Sequence, residues 1–578
     1  MKKTGADLAI FALEQIGVKY TYGIPGTHTT ELYDKLNSSE KITPILVTHE
    51  SGASFMGDAT SRTSNAIGTL VIVPAAGLTH AMSGIAEAFL DGIPLLIISG
   101  GIRKDLNQAY QLHGIDQLEL AKPVTKAQFL IKKQADIIPT IYKAYDIAIS
   151  GEPGPVFIDI PVDIQMYTGE VNELPTYKPS FSKPVIDKAK IVKAADMLTK
   201  AEHPMIYLGW GAVDGFEYSV KLAELLAAPV ATSLQGKSSF PNSHPLFTSA
   251  SLGKGAKPSG QWALGKQDVM LAVGARFGEV ATASYSLEPP KNLIHVDINP
   301  NVFDKNFKTT LAIEADGADF LKALYEELVK RNFKSKLNWQ EIGTEISKKN
   351  EDYFNEWTKG KKSNIVQPGY FFKALQNRAD KNALMVTDDG QHTFLSAELF
   401  NVNQPRHFIS PTDFNCMGYC VPAAIAAKLN NPDKQVISIV GDGAVLMTGL
   451  ELITSSTYNV PVFLFIFNDG ELGQIAQFQQ VPLNRKTCTV LGNVNYEGLG
   501  IIAGIKFIEI SNDNELDSKL DEAFRLNKEG KSIVINVKID YSQRTMLTKG
   551  ALTVNLKRMP FSQKLRFIGR AIKRHIVG

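Results

Sequence analysis

Val440-Gly441-Asp442-Gly443 is followed, 26 residues after its aspartate, by Asn468-Asp469-Gly470. Between them lie a helical span and an apolar run of strand length, Val460-Pro461-Val462-Phe463-Leu464-Phe465-Ile466-Phe467. A carboxylate at the end of one strand and an amide oxygen at the end of the next can meet on one small, hard cation. Magnesium takes oxygen ligands in octahedral geometry, completed by waters and phosphate oxygens. Gly441 and Gly443 let the backbone approach a diphosphate and leave amides free at the start of the following helix. Asp442, the Asn468 side chain and the Gly470 carbonyl are therefore the candidate metal ligands. A lone Gly-Asp-Gly is usually an ordinary turn. The pair at this spacing, each half behind an apolar strand, is a specific signal for a diphosphate–metal site.

Outward from this stretch the chain alternates strands with helical periods. Residues 6–16 carry apolar side chains at helical spacing, and 18–22 read as a strand entering the turn Gly23-Ile24-Pro25-Gly26. Further buried strands are expected at 69–73, 94–98, 155–160, 204–208, 269–273 and 293–297. Strands separated by helices imply parallel βαβ units, with the chemistry on loops at the strand C-terminal ends. The fold class is α/β: three domains, each with a mostly parallel sheet flanked by helices. The expected boundaries are 1–173, 186–335 and 365–541, with a tail over 544–578. A proline-bearing linker covers 174–184, and 334–362 is polar, mostly helical link.

Composition fits a multidomain globular protein: 578 residues, 44% hydrophobic and 21% charged. Three cysteines in so long a chain (Cys416, Cys420, Cys488) argue against a disulfide framework and suit a reducing cytoplasm. The N-terminus meets Asp7 before the apolar core of a signal peptide could form, and the longest apolar runs are too short to span a bilayer.

With the paired motif stand Tyr22-Gly23-Ile24-Pro25-Gly26, His49-Glu50-Ser51-Gly52-Ala53, Gly274-Ala275-Arg276-Phe277, Asp389-Gly390-Gln391-His392 and Met417-Gly418. In this order, over nearly the whole chain, they resemble the thiamine diphosphate (ThDP) enzymes, in particular the acetolactate synthase-like branch. The resemblance implies an N-terminal pyrimidine-binding domain, a central domain and a C-terminal diphosphate domain holding magnesium. It places Glu50 against the cofactor's aminopyrimidine as its proton partner, a role that burial of a carboxyl favours. It makes Met417 the residue wedged between the cofactor rings and the Asn415 carbonyl an acceptor from the aminopyrimidine. Gly390, Gln391 and His392 are expected along one side of the diphosphate, with Gly441, Asp442, Gly443 and Ala444 on the other. Ala444 stands where the resembling synthases often have serine. Gly26 borders the cofactor; His28 and Gln111 are candidate catalytic residues on the substrate side, and Lys126 matches a position at the entrance. Facing domains of different chains imply a homodimer or homotetramer.

The resemblance implies decarboxylation of a 2-oxo acid with or without carboligation. Two departures bear on the outcome. The synthases carry Arg-Phe-Asp-Asp-Arg where this chain has Arg276-Phe277-Gly278-Glu279-Val280, so the second arginine, the natural clamp for an acceptor carboxylate, is replaced by Val280. The Gly26-Thr27-His28 loop is similar to decarboxylases and lyases. A simple 2-oxo acid decarboxylase or aldehyde lyase therefore stays open beside the synthase, as does a non-catalytic ThDP-fold binding protein. FAD is expected to be absent or dispensable, because Ser249-Ala250-Ser251-Leu252-Gly253-Lys254-Gly255 lacks the Gly-Met-x-Gly-like loop of flavin-carrying relatives.

Beyond the family-like region, residues 544–578 hold nine of the 61 Lys and Arg residues and no Asp or Glu, leaving 52 basic against 59 acidic in the rest. After Pro560, residues Phe561, Leu565, Ile568, Ile572 and Ile576 share one helical face among basic neighbours. Such a helix either packs its stripe on the enzyme or lies on an anionic membrane at its inner face. Nucleic acid is not expected, since no aromatic interleaving accompanies the charge.

Overall fold

β-Branched and aromatic runs between helical periods build three six-stranded sheets, each parallel throughout. The computed structural model describes residues 1–106, 108–360 and 363–577. Lys361 and Lys362, at the end of the expected polar link, lie outside the described residues, as does the side chain of Ile576 in the tail.

In the first sheet the strands run in the order Thr43–Leu46, Tyr20–Gly23, Gly68–Ile72, Leu95–Gly101, Pro155–Pro161, Ala127–Leu130. The chain moves outward from Tyr20–Gly23 to Thr43–Leu46, then returns to the other side at Gly68–Ile72. That reversal opens a crevice at the strand C-terminal ends, where ligands of open α/β sheets bind. Leu95–Gly101 and Pro155–Pro161 are buried along their whole length, which is why they read as continuous apolar runs rather than alternating ones. One pairing was not legible: Lys2–Thr4 with Thr168–Glu170, an antiparallel edge too short and polar to show a period. Helix Gly5–Gln15 follows it, closed by a capping box in which Thr4 and Asp7 exchange side-chain and backbone bonds.

The same outward-and-back order recurs twice. The central sheet turns between Pro204–Leu208 and Val269–Val273, the third between Leu384–Thr387 and Val436–Gly441. The polar link is helical over Trp339–Trp357, and the tail forms helix Phe561–Val577.

First and third units share a core. Helix Glu50–Thr63 packs against helix Cys420–Asn430, with Phe55 edge-on to Tyr419 at 5.5 Å. Within this contact Arg62 is wholly buried. Its guanidinium donates to Asp58 at 2.7 and 3.2 Å and to Asp91 at 2.7 Å, and its Cζ lies 5.6 Å from the Trp210 ring of the central unit. Tyr419 donates to Asp58 at 2.6 Å, and the Asp413 amide to Asp91 at 3.0 Å. One cation thus ties all three units. Arg62→Ala leaves buried carboxylates without their counter-charge and is expected to cost about 3–5 kcal/mol. A fall in the urea midpoint of the first unfolding transition checks it.

Candidate active site

Strand Val436–Gly441 runs straight into Asp442, and strand Phe463–Asn468 lies beside it with Gly441 opposite Phe467. This register brings the two halves of the motif together. The Gly470 amide donates to Asp442 Oδ2 at 2.7 Å and to Asn468 Oδ1 at 3.2 Å, and the Asp469 amide donates to Asp442 Oδ2 at 3.1 Å. Gly470 makes this turn with φ 74°, in the left-handed region that glycine enters without strain. Its carbonyl accepts from the Leu491 amide at 2.9 Å and keeps its second lone pair. Burial pushes the Asp442 carboxyl up to about 6; burial and the Asp442 charge push Asp469 up to about 7. Asp469, to which the sequence reading gave no role, is thus a second carboxyl in the same small space. Crowded buried carboxyls with amide and carbonyl oxygens are the donor set of a hard divalent cation, whose charge would restore both carboxylates.

A crevice of about 540 Å³ lies at the switch point of the third sheet, between Gly390–Gln391–His392 on one side and Gly441 to Ala444 on the other. Met417 and Asp469 line it as well. Gly390 stands at φ 143°, where a Cβ would come within 2.8 Å of the His392 ring. Gln391 Nε2 and His392 Nε2 are buried without a hydrogen-bond partner. Burial holds His392 down to about 3, so the ring is neutral. Unspent polar nitrogens on one wall and a carboxylate cluster on the other fit a diphosphate bridged by a cation. Asn415 stands beside the crevice at φ 69°, its side chain bonded to Asp389.

The N-terminal candidates gather elsewhere. Glu50 begins helix Glu50–Thr63 directly after strand Thr43–Leu46 and its short connection, with its side chain buried. The Thr48 amide and hydroxyl and the His49 amide all donate to Glu451 of the third unit, which pins the start of that helix. Glu50 Oε2 meets His80 Nδ1 at 3.0 Å, a partner that nothing in a single sequence signals. Gly26 turns tightly beneath Val73, where a Cβ would lie 2.4 Å from a Val73 methyl. His28 follows, edge-on to His113 at 5.2 Å, its pKa lowered by burial and by that second ring. Gln111 gives its amide to the Arg103 carbonyl at 3.1 Å, within its own loop. None of Glu50, Gly26, His28 and Gln111 lines the Asp442 crevice of its own chain.

The expected entrance residue Lys126 and the motif arginine Arg276 are both committed to structure. The Lys126 ammonium donates to the Ile147 and Ser150 carbonyls at the end of helix Ile137–Ile149, and burial holds it down to about 8. Arg276 is paired with Glu152 at 3.4 Å and Asp413 at 3.9 Å, while Val280 packs against the core.

Three parts of the chain match thiamine pyrophosphate enzyme domains: the N-terminal TPP binding domain over residues 3–120, the central domain over 191–324 and the C-terminal TPP binding domain over 388–537. The probable acetolactate synthase large subunit of Methanocaldococcus jannaschii is 34% identical across 91% of this chain and 90% of its own length. The acetolactate synthase large subunit of Haemophilus influenzae is 30% identical across 94% and 96%, and that of isozyme 3 from Escherichia coli 29% across 93% and 95%. Matched in all three parts and along nearly its whole length, the chain belongs to the thiamine pyrophosphate enzymes, within their acetolactate synthase-like branch.

Proposed function

We propose that this chain is a ThDP- and magnesium-dependent enzyme that decarboxylates a 2-oxo acid and joins the acyl carbon to a second carbonyl compound. The observation that carries this reading is the crevice lined by Asp442 and Asp469 together with Gln391 and His392, whose Nε2 atoms are unspent, while the Gly470 amide bonds Asp442 and Asn468 into one turn beside it. Asp442, the Asn468 side chain and the Gly470 carbonyl hold magnesium. Gly441, Gly443, Ala444, Gly390, Gln391 and His392 hold the diphosphate; Met417 and the Asn415 carbonyl orient the rings. ThDP, once bound, supplies the carbon nucleophile and the electron sink. Glu50 holds and exchanges the proton that the aminopyrimidine needs; Gly26, His28 and Gln111 face the substrate. The domain division is 1–173, 186–335 and 365–541, followed by the tail.

A second reading is favoured by the Arg276 geometry. With that guanidinium paired to Glu152 and Asp413 and valine at position 280, no free guanidinium stands there among the described residues for an acceptor carboxylate. Release of a free aldehyde, or transfer to an aldehyde, then replaces acetolactate formation. Incubation with pyruvate and a panel of 2-oxo acids, with products identified by mass spectrometry, decides between them: a 2-hydroxy-3-oxo acid built from two 2-oxo acids supports acetolactate-type carboligation, and free aldehyde or a 2-hydroxy ketone made from an aldehyde supports the second reading. Glu50→Gln is expected to keep ThDP affinity within about an order of magnitude while losing hydrogen–deuterium exchange at the cofactor C2. Asp442→Ala is expected to weaken magnesium-dependent ThDP binding by more than the roughly 10–100-fold that loss of an outer partner costs, read by calorimetry. Absence of C2 exchange in the wild type would leave the chain a non-catalytic binding protein.

Because Glu50 stands outside its own chain's crevice, the active site is assembled from two copies, in a homodimer or homotetramer. Leu446, Met447, Leu450 and Ile453, just after Asp442, present an exposed apolar face that a second copy would cover. Met447→Arg with Leu450→Arg is expected to give a monomer without turnover, measured by light scattering and product formation. Flavin is dispensable on this reading: the central crevice carries Asp91, Glu152, Asp297 and Asp413 against Arg276, a poor charge balance for a dinucleotide.

No helix among the described residues is long and apolar enough to cross a membrane. We place the enzyme in the cytoplasm, with its tail helix packed on helix Gly473–Leu483 and contact with the inner face of an anionic membrane as the alternative. Phe561, Leu565, Ile568 and Ile572 are 53–75% exposed along helix Phe561–Val577, while Arg574 fastens the helix to the Leu483 carbonyl at 2.9 Å. Each basic residue near such a surface contributes about 1 kcal/mol. Deleting residues 561–578 is expected to abolish co-sedimentation with anionic liposomes at low salt and to leave ThDP binding intact. Full-length protein that ignores such liposomes removes the membrane contact.

A further inference from the structure

Among the described residues, one side chain hydrogen-bonds the Glu50 carboxyl: His80, whose Nδ1 lies 3.0 Å from Oε2. His80 stands in the second turn of helix Ala76–Asp91, half exposed, its ring stacked on His49 with centroids 4.6 Å apart and planes at 26°. The other carboxyl oxygen, Oε1, looks across Gly77, where a Cβ would lie 3.4 Å away. The start of this helix is built with care. Ala75 precedes it at φ 56° and ψ −82°, a conformation that side-chain-bearing residues seldom adopt, and its amide is held by Gln117 Oε1 at 3.1 Å. Gln117 is itself buried and bonded to Ser99, the Gly100 carbonyl and Asp159. Backbone strain, secured from below by a buried amide, thus fixes where His80 meets Glu50.

We propose that His80 is a positioning residue for Glu50, holding Oε2 so that Oε1 is presented to the cofactor, and linking the buried carboxyl to solvent. This role rests on the reading of Glu50 as proton partner. With Glu50 ionised, the protonated Nδ1 donates to Oε2; with Glu50 protonated, the carboxyl donates to Nδ1. Passage from the second state to the first breaks the O–H bond at Oε2 and forms N–H at Nδ1, while Nε2 releases its proton to water. One proton leaves the buried site and none is left over. The groups that face this pair are His49 on the same helix start, Tyr33 from helix Thr30–Asn37, and Glu451 from the third unit, which accepts from the His49 amide at 3.1 Å. None of these three hydrogen-bonds the Glu50 carboxyl among the described residues. A half-exposed imidazole between a buried carboxyl and water can take a proton at one ring nitrogen and release one from the other.

The test has one arm without cofactor and one with it. In full-length apoenzyme labelled with ¹⁵N at the histidine ring, the His80 signals, assigned through His80→Asn, are compared in wild type and in Glu50→Gln at one pH. Loss of the carboxylate acceptor at Nδ1 is expected to change the ratio of the two ring tautomers about threefold or more; an unchanged ratio overturns the proposal. In ThDP-loaded enzyme, His80→Phe is expected to slow C2 hydrogen–deuterium exchange about tenfold or more, with ThDP affinity within about threefold of wild type. His80→Asn, which can still donate to Oε2, recovers most of the rate at neutral pH but loses the wild-type pH dependence. A wild-type rate and pH profile in His80→Phe overturns the role. Wild-type exchange in Glu50→Gln would overturn the reading of Glu50 itself, and that variant tells the two failures apart.

Discussion

A guanidinium buried at the meeting of three sheets sets the arrangement of everything else. An uncompensated charge cannot stay in such a place, so Arg62 obliges carboxylates to gather round it and obliges the backbone to serve those carboxylates. Asp58 and Asp91 come from the helices that flank the first sheet, and the indole of Trp210 comes from the central unit. Glu87, one turn before Asp91, accepts from the amides of Thr412 and Cys416. Burial and the neighbouring Asp91 raise its carboxyl well above the ordinary range. The segment leading to Met417 is thus held from beneath by the acids that answer Arg62. Packing alone would allow the first and third units to slide; a directional charge network gives one docking.

Within that docking, each sheet reverses its strand order beside the strand that opens it in the chain, and each such reversal leaves loops unsupported on both sides at the strand C-terminal ends. The three crevices have different electrostatic character because different residues stand on those loops. The third collects backbone amides, unspent side-chain nitrogens and a carboxyl pair, and suits a phosphate with its cation. The central one collects four carboxylates around Arg276. The first collects histidines: His28 with His113, and His49 with His80 beside Glu50. On the function proposed above, the diphosphate of the third crevice and the proton chemistry of the first must come within one cofactor length, and a second copy of the chain is proposed to bring them there.

Some of this was legible in the residues. The apolar runs that gave strands at 204–208 and 269–273 became Pro204–Leu208 and Val269–Val273, since fully covered parallel strands need apolar side chains on both faces. The pairing of Asp442 with Asn468 was legible because a parallel neighbour joined by one helix puts consecutive strand ends side by side. Resemblance matched Lys126 to an entrance position and Arg276 to the first arginine of the synthase pattern. Type does not say where a long cationic side chain spends its charge, and here a helix end and two carboxylates take it.

The sequence by itself determined the parallel α/β architecture, the family and the chemical groups carried on each loop, because these follow from local period, turn residues and spacing within single βαβ units. Tertiary structure alone decided which groups meet: His80 on Glu50, Glu451 under His49, Asp91 beneath Asp413, and Glu50 apart from its own chain's Asp442. Those contacts join residues tens to hundreds of positions apart. They depend on the angle and depth at which helices dock and on a buried charge that must be answered, and neither quantity is written in any short stretch of chain.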